Sequence, residues 1–570
     1  MSADRRLRVA LLLAAAFHGP LVVAGFYRSS YDVATHEFLA DHYARAPFGL
    51  WDPRWFGGFS VSSYPPLAHQ LIALFGRPFG YDVGFGAVLL VTLLAFPFAV
   101  YRFAELFVPR GAAGAAAIVA VFLPAVTLTG DAFGQLPTLV ALVLSLVTAR
   151  EWTMFIARGG WTTLAATAVL VGLVFTAHHA TALLFLPPVM IVSLAVTARR
   201  VERRTALSRA AFGAAACATV GAVAVLPLWI WALEAPRQAF IPHPSRANFV
   251  QDTDAQALFF WAMYGVLPAI ALFGFISGPD RRTAILGALA LGYGVIGLGG
   301  TTPVPSLLFG EQWNWLTYDR FALWCAVALL PLAGVAIDRQ LRPGHTPARL
   351  AAYLTLAVLG GFAAVDSALS VLGAPPQHDL RPVADFMNAD DHDRWRYQTF
   401  GFGDPAARLG VMTTATTIDG AYFTARRIPE LTESGIGTID AALWADPSGT
   451  ALRRILAAAD TYSIRWAFVV DPRYAAYLRE AGFRSDAQLP GGIAVWEKPD
   501  APPLSPAAAR FGSIDALGLL WATAPAALGL LASAMLLARR RAARAPRGRA
   551  LGPWKFPGSA LRRLSFRARG

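Results

Sequence analysis

Read for polarity, the chain alternates long apolar runs with short charged connections. The runs fall at 8–26, 83–107, 112–129, 134–150, 162–177, 180–198, 210–232, 257–277, 284–300, 319–337, 349–372 and 513–538. A bilayer core takes about 20 apolar residues per helix. Lipid offers the backbone no hydrogen-bond partner, so each run is expected to be helical. Twelve membrane spans are thereby predicted. Three longer segments interrupt the pattern, at 27–82, 233–256 and 373–512. In the last, Leu380–Met387 and Ala451–Ala459 carry a helical pattern. Val411–Thr417, Trp466–Val470 and Gly492–Glu497 have the β-branched and aromatic content of strands. Gly401, Gly403, Gly435 and Gly437 mark turns between them. The predicted fold class is a polytopic α-helical membrane protein with a small extracytoplasmic α/β domain. Its parts are a membrane domain (1–372) with a long first outer loop (27–82), the α/β domain (373–512), a last membrane helix (513–538) and a basic tail (539–570). No internal repeat is visible.

Charge orients the spans. Arg5, Arg6 and Arg8 precede the first run. Arg110, Arg150, Arg158, the cluster Arg199–Arg209, Arg281, Arg282, Arg339, Arg342 and Arg349 all fall in alternate connections. The opposite connections near 130, 178 and 300–316 hold no Lys or Arg. The positive-inside rule makes the basic side cytoplasmic, with both termini inside, and puts the three long segments outside.

Composition fits: 56% of residues are hydrophobic and 15% charged, where soluble domains run near a quarter charged. That excludes a soluble multidomain protein. The net charge of +13 would suggest nucleic acid in a soluble chain. Here much of it sits in the tail, from Arg539 to Arg569 without an acid, and reads as an anchor on anionic lipid. Membrane lipids are therefore expected partners and nucleic acid is not. Cys217 and Cys325 both lie inside apolar runs, so the outer domain must fold without disulfides. The first run has a basic start like a signal peptide, but Phe17, His18, Gly19 and Pro20 break its apolar core. A retained first helix is expected.

Candidate chemistry gathers in the first loop. Asp32 and His36 are four residues apart, on one face if helical, and Glu37 adjoins them. At a membrane surface that set either binds a phosphate-bearing ligand or moves a proton, or it is a solvated loop with ordinary caps. The same surface is expected to hold Asp131, His178, His179, Tyr318 and Arg320. Arg320 suits bidentate phosphate binding and a His pair suits a leaving phosphate. The alternatives are a helix cap for Asp131, an interfacial place for the histidines and an Asp319 partner for Arg320. Asp252-Thr253-Asp254 has the spacing that holds Mg²⁺ or Mn²⁺ beside a phosphate, or it caps the next helix. A divalent cation is the one cofactor suggested. Asp390-Asp391-His392-Asp393 reads as a solvated loop, and Trp313 and Trp315 suit the headgroup belt.

The first loop resembles that of the GT-C membrane glycosyltransferases. More narrowly, it is similar to the bacterial and archaeal membrane proteins labelled six-pyruvoyl-tetrahydropterin-synthase-related. The resemblance lies in Asp32 after the first span, His36, Gly49-Leu50-Trp51-Asp52-Pro53, Gly57-Gly58-Phe59 and Tyr64-Pro65-Pro66-Leu67. Tyr462–Val470, Gly482-Phe483 and Gly492–Glu497 extend it to the end of the outer segment. No His-rich metal triad of a soluble pterin enzyme is present. The resemblance implies transfer of a hexosyl or pentosyl group from a polyprenyl-phosphate donor to an envelope glycan, lipid or protein at the outer face of a bacterial cytoplasmic membrane. It implies that Asp32 is the general base on the acceptor or helps hold a metal, with His36 beside it. One departure is that family members often pair two acids here, whereas Val33 follows Asp32. Competing readings are a lipid or polysaccharide flippase, a transporter, or a non-catalytic scaffold of the same shape. The absence of repeats and the gathering of polar candidates at one face favour the enzyme.

Overall fold

The computed structural model describes residues 2–342, 346–374 and 377–544. The expected anchoring tail lies outside them beyond residue 544. Helices occupy the apolar runs, beginning with α1 (Ala3–Val23). Among the described residues eight are long and apolar enough to cross a membrane, or ten if each of two bent pairs is one span. The pairs bend by 46° between Val121 and Pro124 and by 47° between Tyr264 and Leu267. Pro124 has no amide hydrogen to continue the first helix. Gly265 turns with φ +50° at the second break, a backbone region open to glycine.

The central helix is Asp319–Gln340, packed against Arg110–Val121, Leu267–Ser277 and Arg281–Gly297. Small residues set these approaches: a Cβ on Gly334 would lie 2.4 Å from the Ala112 carbonyl. At one end of the bundle Arg6 pairs with Asp338 and donates to the Gly111 carbonyl at 2.7 Å. Arg539 pairs with Glu151 at the end of another helix.

The first loop is not irregular. It holds α2 (Val33–Arg45), the two-residue strands β1 (Trp51–Asp52) and β2 (Phe59–Ser60), and α3 (Leu67–Phe79). The turn between β1 and β2 needs its glycines, since a Cβ on Gly58 would fall 2.2 Å from the Trp51 ring. After the helix Thr346–Leu372 the chain builds a sheet domain from β3 (Arg396–Phe400), β4 (Ile464–Val469), β5 (Arg484–Leu489) and β6 (Ile493–Glu497). The order is β3-β4-β6-β5, with β3 and β4 parallel and the other pairs antiparallel. The helices at 381–388 and 450–457 and strands β4 and β6 lie where the pattern put them. Val411–Thr417 does not form the expected strand. It bridges two elements instead, Thr417 exchanging bonds with the first loop (its N–H to the Arg54 carbonyl at 2.9 Å, its carbonyl from the Gly57 N–H at 3.0 Å) and the Tyr397 N–H donating to the Thr416 carbonyl at 3.1 Å. Strand β5 escaped the pattern because nearly all of it is exposed.

The first loop and the sheet domain share one hydrophobic core. Phe38, Trp55, Phe56, Phe59 and Val61 pack in one cluster with Phe400, Ile418, Ile428 and Ala467. Phe38 stacks on Trp55 at 3.6 Å. Beneath lies a buried ionic network. Arg54 grips Asp52 through Nε–H (3.0 Å) and Nη2–H (2.6 Å), pairs with Asp41, and donates to the Gly410 carbonyl at 2.6 Å. His42 bonds Asp52 at 2.8 Å and the Gly49 carbonyl at 2.9 Å. Burial would raise the Asp52 carboxyl, but Arg54 and His42 hold it well below the usual carboxylate range. Removing one partner of such a network strands the others unpaired, at a cost of about 3–5 kcal/mol. Arg54→Ala is expected to lower the melting midpoint of the detergent-solubilised chain sharply and to broaden its gel-filtration peak. Wild-type behaviour would show that the network does not hold the first loop to the sheet domain.

Candidate active site

At the seam between helix bundle, first loop and sheet domain, the start of the helix Asp319–Gln340 presents Arg320. Among the described residues its guanidinium makes no hydrogen bond or ion pair, and Nε is buried without a partner. Its charge reaches Asp32, His36, Tyr64, His178, His179, His243 and Tyr422. Together with Arg320 these residues come from six separate stretches of chain.

Asp32 is the N-cap of α2, yet its carboxyl caps nothing. Asp, Asn, Ser and Thr at this position ordinarily accept from the first-turn amides. The Asp32 backbone N–H donates to the Phe133 carbonyl at 3.2 Å, which pins the cap against the turn at 130–135. Burial pushes its carboxyl up to about 7; Arg320 opposes the rise, while Asp404 and Asp319 add to it. Asp404 comes from the sheet domain, where the turn Asp404–Arg408 packs on α2. It has no hydrogen-bonding or ionic partner among the described residues, and burial raises its carboxyl too.

The hydrogen bonds sort the polar groups into donors and acceptors. His178 Nδ1 accepts from the Thr181 N–H at 3.3 Å, and His243 Nδ1 accepts from the Ser245 N–H at 3.2 Å. Each ring therefore carries its hydrogen on Nε2, as a donor. Arg320 is donor only. Asp32, Asp404 and the bare Asp319 Oδ1 are acceptors, the other Asp319 oxygen being taken by Gln135 Nε2–H at 2.8 Å. One half suits an anion and the other suits hydroxyl groups. Tyr64 is within electrostatic reach of both Arg320 and Asp32, edge-on to His69 (5.0 Å) and Tyr422 (4.8 Å).

Of the residues singled out by sequence, Asp32, His36, His178, His179 and Arg320 come together here. The others are engaged elsewhere. Glu37 pairs with Arg408 at 2.7 Å and ties α2 to the sheet domain. Asp131 accepts from Ser367 Oγ–H at 2.8 Å, facing the helix Thr346–Leu372. Tyr318 is buried, donating its hydroxyl to the Trp313 carbonyl at 3.0 Å. Asp252 caps its helix, accepting from the Ala255 N–H at 2.9 Å, and Asp254 is exposed. Among the described residues no three His, Cys, Asp or Glu side chains are placed to hold a metal ion. Sequence reading missed His69, inside α3, and His243, Asp404 and Tyr422, which become neighbours only through folding.

No family model matches the sequence, and no curated protein does. Solved structures do match. The arabinofuranosyltransferase AftD from Mycobacteria aligns with TM-score 0.53 at 16% identity over 87% of this chain. ArnT from Cupriavidus metallidurans aligns with TM-score 0.51 at 11% identity, over 85% of this chain and 97% of its own. The fold is shared with these two proteins. The chain spans 39% of the length of AftD. At these identities the likeness concerns the fold alone.

The raised Asp32 carboxyl yields a titration. A carboxyl pushed up to about 7 by burial and by two acidic neighbours is protonated below that pH and ionised above it. Asp404→Asn removes one negative neighbour, so Asp32 is expected to ionise at lower pH, read by ¹³C NMR of the Asp carboxyls. An unmoved or upward-moving midpoint would contradict the geometry.

Proposed function

We propose that this chain is a glycosyltransferase that moves a sugar from a polyprenyl-phosphate donor to an envelope acceptor at the outer face of a bacterial cytoplasmic membrane. The observation that carries the reading is the unpartnered Asp32 carboxyl within reach of the unpartnered Arg320 guanidinium. Ionisable groups at membrane depth are costly to leave unpaired, and two of opposite sign that do not pair with each other leave room for a substrate. Arg320, helped by the Nε2–H groups of His178 and His243, holds the donor phosphate. Asp32 accepts the proton of the acceptor hydroxyl as its oxygen bonds to the sugar's anomeric carbon and the bond from that carbon to the phosphate oxygen breaks. The phosphate leaves with the electron pair and Arg320 balances its charge. ArnT, which shares the fold, has been seen bound to undecaprenyl phosphate. Asp252 accepts the Ala255 N–H at its helix cap, and no step here is routed through a divalent cation.

The membrane arrangement belongs to the same proposal. The twelve apolar runs make twelve spans, the two 17-residue helices Trp161–Ala177 and Arg281–Gly297 being the shortest. The basic connections, with the Arg6–Asp338 and Arg539–Glu151 pairs, mark the cytoplasmic side. The sheet domain and the Arg320 cluster then lie outside. The first-loop motifs liken the chain to the six-pyruvoyl-tetrahydropterin-synthase-related membrane proteins, by sequence pattern alone.

In membranes supplied with radiolabelled polyprenyl-phosphate sugar, Asp32→Asn is expected to lose transfer by about 10²-fold or more, the ordinary contribution of a general base. Full retention would remove Asp32 as the base. If the wild type transfers label from no common carrier, a flippase or scaffold replaces the enzyme. For orientation, Ser448→Cys on the exposed surface of the sheet domain is expected to react with an impermeant thiol reagent in intact cells. Protection there would invert the topology and move the site to the cytoplasmic side.

A further inference from the structure

His36 and His69 form a buried pair, His36 Nδ1 to His69 Nε2 at 2.9 Å. The far nitrogen of His69, Nδ1, lies 3.1 Å from the Pro65 carbonyl. A carbonyl only accepts, so His69 must carry its hydrogen on Nδ1. Its Nε2 is then a bare acceptor, and the hydrogen in the contact between the rings must sit on His36 Nδ1. It follows that His36 Nε2 is also bare. That atom is buried and has no hydrogen-bond partner. The Gly134 carbonyl also stands near the ring, but it makes no hydrogen bond of good geometry to Nε2. Burial, His69 and the charge of Arg320 together hold the ring neutral, well below the usual histidine range. The other groups against the His36 ring are Tyr64 at 5.9 Å and Phe85 at 6.1 Å, with neutral His178 within electrostatic reach.

Only a group with a hydrogen to give can satisfy this nitrogen. A phosphate oxygen has none, and an ammonium is repelled by Arg320. A sugar hydroxyl is the neutral donor that the glycosyl-transfer reading supplies. We propose that His69 is a positioning residue that locks His36 in the Nδ1–H form, so that Nε2 accepts a hydrogen bond from a sugar hydroxyl next to the Asp32 carboxyl. Free imidazole favours the opposite tautomer, so the pair imposes a state that His36 alone would not hold. The identity of the hydroxyl rests on the glycosyl-transfer reading, but the tautomer does not. The hydroxyl belongs either to the donor sugar or to the acceptor.

The test uses the full chain in lipid nanodiscs with ¹⁵N-labelled histidine, the His36 signals being assigned by their loss in His36→Gln. The wild type is expected to show Nδ1–H with a bare Nε2. In His69→Phe, which keeps the bulk but not the acceptor, His36 is expected to turn to the Nε2–H form. His69→Gln, whose amide oxygen accepts from Nδ1–H, is expected to restore the wild-type pattern and controls for misfolding. A polyprenyl-phosphate sugar and an alkyl glycoside are then added separately. Displacement of the Nε2 signal by the first assigns the donor hydroxyl, and by the second the acceptor hydroxyl. In the transfer assay His69→Phe should raise the KM of that ligand about tenfold, the value of one hydrogen bond to a buried group, with kcat little changed and His69→Gln recovering. An imidazolium or Nε2–H form in the wild type overturns the proposal. So do an unchanged tautomer in His69→Phe, no displacement by either ligand, or an unchanged KM. Absence of transfer by the wild type would fail the enzyme reading alone, while the tautomer and ligand signals still decide the role of His69.

Discussion

The structure depends on burying one arginine. Arg54 is almost wholly enclosed, yet it satisfies Asp52, Asp41 and the Gly410 carbonyl at once, with the Phe38 ring 4.3 Å from its guanidinium carbon. A buried ion network adds little net stability over an apolar core, because desolvation offsets its attraction. What it adds is register. Only one relative placement of α2, the β1–β2 turn and the residue-410 segment satisfies every partner. The last helix, Ala516–Arg544, and the segment before it are drawn into the same arrangement, with Phe511 5.3 Å from Arg54 and Trp521 donating to the Tyr43 hydroxyl at 2.9 Å.

That register decides where chemistry is possible. Locking α2 against the sheet domain places its N-terminal Asp32 opposite the start of the central helix, where Arg320 emerges. The turn Asp404–Arg408 rides along: Arg408 closes on Glu37 while Asp404 remains free near Asp32. A second acid thus stands near Asp32, supplied by a segment more than three hundred residues away rather than by position 33, where Val stands. The polar groups are divided by their hydrogen-bonding duty. Backbone amides that donate to His178 and His243 leave donors facing the Arg320 side, whereas the Pro65 carbonyl, acting through His69, leaves an acceptor on His36. An anion and a hydroxyl are the complementary ligands of such a seam.

The helices of the membrane-spanning part were legible in the chain because lipid imposes a one-dimensional rule: apolar length predicts a helix. Asp32, His36, His178, His179 and Arg320 could be named in advance because ionisable residues near span ends are conspicuous against an apolar background. Asp131, Tyr318 and Glu37 met the same criterion, but Ser367, the Trp313 carbonyl and Arg408 engage them, and no spacing in the sequence announces those partners. The expected strand at Val411–Thr417 failed for a related reason. Its β-branched residues serve cross-links to β3 and to the first loop, which a propensity pattern cannot distinguish from a ladder.

The opening pattern of apolar runs therefore determined the class of the molecule, its helices and the face on which its polar residues would gather. Tertiary structure alone decided which of those residues are free. Freedom of a carboxyl or an imidazole nitrogen is a matter of which donors and acceptors lie within about 3 Å of it, and for Asp32, Asp404 and His36 those neighbours come from distant parts of the chain.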